Sequence, residues 1–162
     1  MPSIEQQITI DAPSDRVWDA LGDFGGIDRW SPSINHSSAI DGRQRGVGAE
    51  RACEVKGIFP NVVERTTQWD EGHGYSFEIE GAPMLKQATS TWSLEAEGDC
   101  TTVTARVDYR TSMGPIGALM GATIMKRMMS RILADSLAGL KHHVETGEVV
   151  GDRVPAKQAS QG

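Results

Sequence analysis

The chain has 162 residues, which is enough to bury a core without disulfides or metal ions but too few for two domains of ordinary size. With 38% hydrophobic and 23% charged residues it has the composition of a globular protein, which excludes the disordered and collagen-like classes. A net charge of −6 and scattered basic residues give no surface that would attract nucleic acid, so we expect no nucleic-acid partner.

The cysteines and histidines show no spacing typical of a metal site or a redox motif, and we expect neither a metal nor a cofactor. No hydrophobic leader precedes the first expected strand. The longest apolar stretch, residues 113–125, is interrupted by glycines and is too short to span a bilayer. We therefore expect a cytoplasmic protein with reduced thiols and no transmembrane segment.

The first segment has the pattern of a strand that leads into a helix. Isoleucines at positions 4, 8 and 10 share one parity, which predicts a strand with one buried face. Pro13 and the small polar residues beside it are helix-start signals, and they predict a short amphipathic helix over 13–21. Residues 27–30 can add one more helical turn before Ser31 and Pro32 break it.

Residues 33–111 show only strand patterns, separated by turn signals at short intervals. Six strands are predicted there, over 34–40, 49–57, 62–70, 75–81, 86–95 and 102–110. Intervals this short join antiparallel neighbours through hairpins. Tyr75, Phe77 and Ile79 alternate with polar residues, so the sheet should have one covered face and one face in water.

A long helix over 115–145 can cover the apolar face of this sheet. Its apolar residues form two tracks, at 116, 120, 124, 128 and 132 and at 129, 133, 137, 140 and 144. At 1.5 Å per residue the helix spans roughly 45 Å, about the width of a sheet. The domain should therefore comprise residues 1–147, with a flexible polar tail over 148–162.

Methionines are concentrated in or just before the first half of this helix, at Met113, Met120, Met125, Met128 and Met129. Methionine is unbranched and adaptable, so it suits a surface that accepts ligands of variable shape. A stripe at helical spacing is more often part of an ordinary core. The two interpretations merge if the core itself contains the ligand cavity.

The order of these elements, with several short segments, resembles the START-related helix-grip superfamily (SRPBCC), in its polyketide cyclase/dehydrase branch. The segments that carry the resemblance are IDAPSDRVW at 10–18, DF at 23–24 with Trp30, GAER at 48–51, VERTTQWD at 63–70, and SL and GLK within 136–141. The resemblance covers 3–145. It implies an α+β helix-grip fold, in which a seven-stranded curved antiparallel sheet surrounds a long C-terminal helix and two short helices follow the first strand.

The resemblance also implies a pocket between that helix and the sheet. Members of the superfamily carry lipids, sterols, hormones or polyketides, and a minority cyclise or dehydrate them. In the register of the relatives, the implied ligand-binding residues are Arg51, Cys53, Val55, Glu64, Tyr75, Phe77, Ile79, Ser90, Trp92, Met128, Ile132 and Ser136.

Glu64 is the sharpest polar candidate in this set. A carboxylate that faces an apolar cavity needs Arg51 or a ligand group as its partner. Alternatively, Glu64 lies on the wet face of the sheet and pairs with a neighbouring strand, because apolar residues occur at both parities here. Trp92 can form a ligand-stacking wall or be a bulky core residue, and Tyr109 can offer its hydroxyl to a ligand or lie in water at the sheet edge.

Three functions remain open at this point. The first is binding or carriage of a hydrophobic small molecule, such as a lipid, a polyketide or an aromatic metabolite, by a monomer or homodimer without catalysis. The second is a metal-free polyketide cyclase or dehydratase, with Glu64 as acid or base and Arg51 or Tyr109 holding a developing enolate oxygen. The third is a protein-interaction adaptor that docks through the methionine-rich helix start.

Overall fold

A computed structural model describes residues 2–57, 61–112 and 114–151, without the side chains of 115–120. The described elements are β1 (Ser3–Ile10), α1 (Ser14–Leu21), a 3₁₀ segment (Phe24–Arg29), β2 (Ile34–Ile40), β3 (Glu50–Val55), β4 (Val62–Asp70), β5 (Gly74–Glu80), β6 (Leu85–Glu97), β7 (Cys100–Thr111) and α2 (Pro115–Thr146). This element order matches the one that the sequence predicts.

The strands form one seven-stranded sheet in the order β1-β7-β6-β5-β4-β3-β2, and each pair of neighbours is antiparallel. Successive strands from β2 to β7 are neighbours in the sheet. The last strand, β7, also pairs with β1, so the first and last strands lie side by side. The predicted α+β helix-grip fold is confirmed. The sheet uses its apolar face to surround α2, as an antiparallel sheet with one wet face requires.

The β6–β7 hairpin is longer than the sequence predicts. Its ladder continues to the pair Glu97 and Cys100, whereas the predicted strands end at 95 and begin again at 102. Gly98 adopts a φ of 64°, in the left-handed region that glycine tolerates without strain. Such a tight turn allows the hydrogen-bonded ladder to run to the last residue before the turn.

The second half of α2 anchors the helix to the rest of the domain. Leu133, Leu137, Leu140 and Val144 are buried, as the second apolar track predicts. Gly139 lies between them, where an added Cβ would come within 1.9 Å of the backbone oxygen of Trp30. Only glycine permits this close approach between the helix and the chain that follows the 3₁₀ segment.

The prediction that the first apolar track faces the sheet is only partly correct. Ile124 is 69% exposed, whereas Met125 is buried. The inward face of α2 in this half includes Met125 and Met129, four residues apart, so Ile124 points away from it. Met113 and the side chain of Met120 lie outside the described residues.

The chain continues to pack against the domain after α2 ends at Thr146. The predicted tail begins at Glu148, but the carboxylate of that residue is 2.9 Å from His142 Nε2. Val150 is buried, and its N–H donates to the carbonyl of Arg29 at 2.8 Å. The packed unit therefore extends beyond 147, and residues 152–162 of the predicted tail lie outside the described residues.

Within the part of the chain that the structure describes, no helix combines the length and the hydropathy that crossing a membrane requires.

Candidate ligand-binding cavity

A cavity of about 150 Å³ lies between the inner face of the sheet and α2. Its walls are mainly aliphatic, sulfur-containing or aromatic side chains from the strands, the helix and the chain around the 3₁₀ segment. Among the residues that the structure describes, the polar side chains in the wall are Arg51, Glu64 and four serines. A concave apolar site with a few polar groups is typical of small-molecule binding.

Most of the residues that the sequence predicts for the site line this cavity. Strands β3 to β5 contribute Arg51, Val55, Glu64, Phe77 and Ile79. Strand β6 and helix α2 contribute Ser90, Trp92, Ile132 and Ser136. These residues are remote in sequence, and the antiparallel pairing and the docked helix bring them together.

Four of the predicted residues do not line the cavity. Cys53 and Tyr75 are buried in the neighbouring core, where the ring of Tyr75 stacks on Trp69 with the centroids 5.2 Å apart. Met128 is half-buried beside the inward face of α2. Tyr109 is buried rather than in water at the sheet edge, and it is not part of the wall.

Sequence reasoning missed several wall residues. Met125 and Met129 share a helical face with Ile132 and Ser136, since their spacing follows the 3.6-residue period. That spacing shows which residues share a face, but it does not show which face of the helix lies against the sheet. Ser31 and Ser33 also line the cavity, although the sequence around Pro32 indicates only a helix break. No local pattern distinguishes such serines from loop residues.

Arg51 and Glu64 form a buried ion pair in the wall. They are directly opposite each other in the register of β3 and β4, and Arg51 Nε is 2.5 Å from Glu64 Oε2. Arg51 Nη1 donates to the carbonyl of Phe24 at 2.6 Å. The guanidinium carbon lies 3.9 Å from the centroid of the Phe24 ring and 4.9 Å from that of Phe77. Arg51 is thus fixed by a carboxylate, a carbonyl and two aromatic faces.

The environment of Arg51 keeps it charged despite its burial. The side chain is 1% exposed. Desolvation, the largest single influence, lowers the pKa of Arg51, but the attraction of Glu64 and further neighbours outweighs it and raises the pKa above the ordinary value. Arg51 therefore keeps its positive charge across the physiological pH range.

Glu64 lines the cavity, so the alternative on the wet face of the sheet does not describe its position. Its side chain is 10% exposed. Oε2 accepts the Arg51 hydrogen bond and has Cys53 Sγ at 3.9 Å. Oε1 accepts no hydrogen bond from any of the described residues. One carboxylate oxygen is therefore left for a group inside the cavity.

The remaining polar groups are serine hydroxyls. Ser31 Oγ lies 3.0 Å from Ser33 Oγ and 2.9 Å from Ser136 Oγ, so the three hydroxyls form a chain between the 3₁₀ segment and α2. Ser90 Oγ accepts a hydrogen bond from the indole N–H of Trp92 at 3.0 Å. This bond satisfies the polar atom of Trp92, whose ring forms part of the wall.

The other titratable groups near the pair are protonated at neutral pH. Burial raises the pKa of Cys53 to about 11, and the charge of Glu64 contributes in the same direction. Burial raises the pKa of Tyr75 to about 12. Neither group serves as a base or nucleophile near pH 7, so Glu64 is the one candidate for proton transfer in the described wall.

Across residues 2–57, 61–112 and 114–151, no cluster of three His, Cys, Asp or Glu side chains has an arrangement that could hold a metal ion.

This fold and its internal cavity define a helix-grip protein of the START-related superfamily. The family described as polyketide cyclase / dehydrase and lipid transport matches residues 1–145, and the chain belongs to that family. The membership predicted from the sequence segments is thereby confirmed. No curated protein matches the chain.

Solved structures with the same fold share little sequence with the chain. A protein from Thermus thermophilus has a TM-score of 0.76 and 19% identity, over 90% of this chain and 99% of that one. A START superfamily protein from Mycobacterium smegmatis has a TM-score of 0.69 and 16% identity, over 88% and 97%. The di-domain ARO/CYC protein BexL of the BE-7585A biosynthetic pathway has a TM-score of 0.72 and 23% identity, over 90% of this chain and 47% of that one.

Proposed function

We propose that the protein binds or carries a hydrophobic small molecule in the cavity under α2. The observation that carries this proposal is the composition of the described wall, whose residues are apolar except for one ion pair and four serines. Burial of apolar ligand surface supplies the affinity in such a site, and a few polar groups set the orientation. The family, which includes lipid transport proteins, supports the same class of function.

The size of the cavity limits the ligand that this conformation accepts. A volume of about 150 Å³ is comparable to that of a protein cavity that binds benzene. The conformation therefore fits a molecule of about one ring. A lipid or a larger polyketide requires α2 to move away from the sheet. Met125 and Met129 in the helical wall are adaptable side chains that suit such variation.

Filling the cavity provides the test of this proposal. Met129→Trp places a large ring in the wall, whereas Ile124→Trp adds the same ring at an exposed position of the same helix. Native mass spectrometry of the freshly purified proteins, before and after incubation with ethylbenzene, measures retained and added ligand. We expect the wild type and Ile124→Trp to bind, and Met129→Trp to lose binding.

Folding has to be separated from binding in this experiment. Circular dichroism and thermal unfolding show whether Met129→Trp is folded, and Ile132→Phe is a milder filling variant if it is not. Failure of the wild type to retain or take up any apolar compound would contradict the proposal. If Met129→Trp or Ile132→Phe is folded and binds as well as the wild type, the ligand lies outside this cavity.

A second function, cyclisation or dehydration of a polyketone, is favoured by one observation. Glu64 presents an unoccupied carboxylate oxygen to the cavity and can act as a base there. Arg51 is less suited to hold an enolate oxygen, because its Nε and Nη1 already donate to Glu64 and Phe24. Tyr109 lies outside the wall. Glu64→Gln should abolish turnover of a polyketone while binding is retained, and unchanged turnover would remove Glu64 from the mechanism.

The adaptor hypothesis requires methionines on the outer surface of α2. Met125 is buried, and Met129 lines the cavity. These two side chains belong to the internal wall, so they support ligand binding rather than docking of a protein partner.

A further inference from the structure

Two sets of polar groups in the cavity wall have hydrogen-bonding capacity that the described residues do not use, and this capacity indicates what kind of ligand fits. Ser31, Ser33 and Ser136 bring three O–H donors into contact, and the two contacts between them use two of the three protons. Whichever hydroxyls act as donors in these two contacts, one of the three hydroxyl protons is not used between the serines. No acceptor for it exists among the described residues. Since all three serines line the cavity, that proton is available to an acceptor inside it.

Glu64 offers the complementary group, an acceptor oxygen without a donor in the described part of the chain. Its Oε1 lacks a donor among the described residues, although the residue lines the same cavity. A ligand group that donates to this oxygen gains a hydrogen bond to a carboxylate, which contributes more than a bond between two neutral groups. The wall therefore offers a donor on the side of the 3₁₀ segment and α2, and an acceptor on β4.

Resting on the proposed function, we infer that the cavity selects a ligand of about one ring that carries both a carbonyl oxygen and a hydroxyl group. The serine chain donates to the carbonyl oxygen, and Glu64 Oε1 accepts from the hydroxyl. Small phenolic ketones and aldehydes have this combination on a body that matches the cavity of about 150 Å³. The serine chain is thus a specificity-determining site, separate from the ion pair.

The test compares molecules that differ only in these two groups. Ethylbenzene has neither group, acetophenone has the carbonyl, 4-ethylphenol has the hydroxyl, and 3- and 4-hydroxyacetophenone have both in two geometries. Dissociation constants are measured by calorimetry with the purified full chain. A neutral hydrogen bond gives a gain of about fivefold, and one to a carboxylate gives about tenfold or more. We expect acetophenone and 4-ethylphenol to exceed ethylbenzene by these factors, and one hydroxyacetophenone isomer to exceed both.

Variants assign each gain to its group. Replacing all three serines of the chain by alanine removes the donors together and leaves no member of the chain unpaired, so the domain should tolerate it. This triple variant should lose the preference for acetophenone over ethylbenzene and keep that for 4-ethylphenol. Ser76→Ala is the matched control, because Ser76 is buried and bonded to the hydroxyl of Thr91 but does not line the cavity. It should keep both preferences.

Glu64→Gln retains an acceptor but loses its charge, so the preference for 4-ethylphenol should fall to about that of a neutral hydrogen bond, roughly fivefold or less. Ser90 also lines the cavity, and its hydroxyl accepts from Trp92 while its own proton has no acceptor among the described residues, so Ser90→Ala tests it as the competing donor. Loss of the carbonyl preference in Ser90→Ala but not in the triple variant would overturn the role of the serine chain.

The outcomes also separate this inference from the proposed function. If all five compounds bind the wild type equally, or if only long-chain lipids bind, the ligand class is wrong while the binding function stands. If no apolar compound of any size binds, the proposed function fails as well. Circular dichroism and thermal unfolding of each variant establish that a lost preference reflects the removed hydroxyl or charge rather than an unfolded chain.

Discussion

Arg51 and Glu64 face each other across β3 and β4, with the guanidinium almost completely buried and its Nε 2.5 Å from the carboxylate. Two charges so placed depend on each other, because the guanidinium is shielded from water and the carboxylate is its charged partner. Both side chains also line the cavity, where they place two charged groups in a mainly apolar wall. The stability of the domain and the chemistry of the site are therefore linked through one contact.

Breaking the pair from one side should be strongly destabilising. Arg51→Met and Glu64→Leu each leave an uncompensated buried charge, and we expect each to reduce the free energy of unfolding by about 3–5 kcal/mol. The double variant should cost less than the sum, since it removes both charges. Urea denaturation followed by tryptophan fluorescence measures all three. Additive effects would show that the two side chains contribute independently.

Glu71 ties the β4–β5 turn to α1 and should give a pH-dependent contribution. Its carboxylate accepts the indole N–H of Trp18 at 2.8 Å and that of Trp69 at 2.6 Å, and Arg45 is paired with it. The Trp18 and Trp69 hydrogen bonds lower the pKa of Glu71 below its ordinary 4.5. Because the folded pKa is the lower one, this stabilisation is present above pH 4.5 and is lost as the pH falls through the folded value.

Glu71→Gln isolates this effect. At pH 7 it should reduce the free energy of unfolding by less than about 1 kcal/mol, because solvent screens an exposed carboxylate. The difference from the wild type should vanish in acid below the folded pKa. Unfolding curves at pH 7 and pH 3 provide the comparison. A difference that is the same at both values would mean that the charge of Glu71 does not matter.

The two cysteines should differ in reactivity. Cys53 is buried, and its thiol pKa of about 11 leaves it protonated at pH 8. Cys100 is only half-buried, and burial and then Asp11 raise its pKa. We expect a disulfide reagent such as DTNB to modify Cys100 first. In Cys100→Ser the remaining thiol should react slowly until urea is added, and rapid reaction of the native variant would contradict the position of Cys53.

Gly139 should invert the usual effect of replacing glycine by alanine in a helix. That change normally stabilises a helix by about 1 kcal/mol. Here the new Cβ would meet the backbone oxygen of Trp30 at 1.9 Å, so Gly139→Ala should destabilise the domain by several times that amount. Ala134→Gly, at an exposed position of the same helix, is the control and should cost only about 1 kcal/mol. Thermal unfolding of both variants shows whether Gly139→Ala destabilises the domain, and a stabilised variant would contradict the prediction.

The sequence predicts the face of each strand better than the extent of the cavity. The alternation around Phe77 correctly assigns that residue and Ile79 to the inner face. It also assigns Tyr75, which packs among aromatic side chains beyond the end of the cavity. Parity determines which side of a sheet a residue occupies, but the position of the cavity along the strand depends on where α2 docks.

The serine chain could not be predicted for a related reason. Ser31 and Ser136 are 105 positions apart in the sequence, and their hydroxyls meet only because Gly139 allows the helix to approach the chain near Trp30. Helix periodicity likewise leaves the docking phase of α2 open, so it could not decide between Met128 and Met129 as the wall residue. Such contacts arise from tertiary packing and have no local signal.

The most direct test of the cavity as a ligand site uses methionine methyl groups as reporters. With ¹³C-methyl-labelled methionine and bound ethylbenzene, we expect intermolecular nuclear Overhauser effects to Met125 and Met129, which line the cavity, with saturable changes in their chemical shifts. Overhauser effects confined to methyl groups outside the cavity, or no saturable change with any apolar compound, would contradict a ligand site under α2.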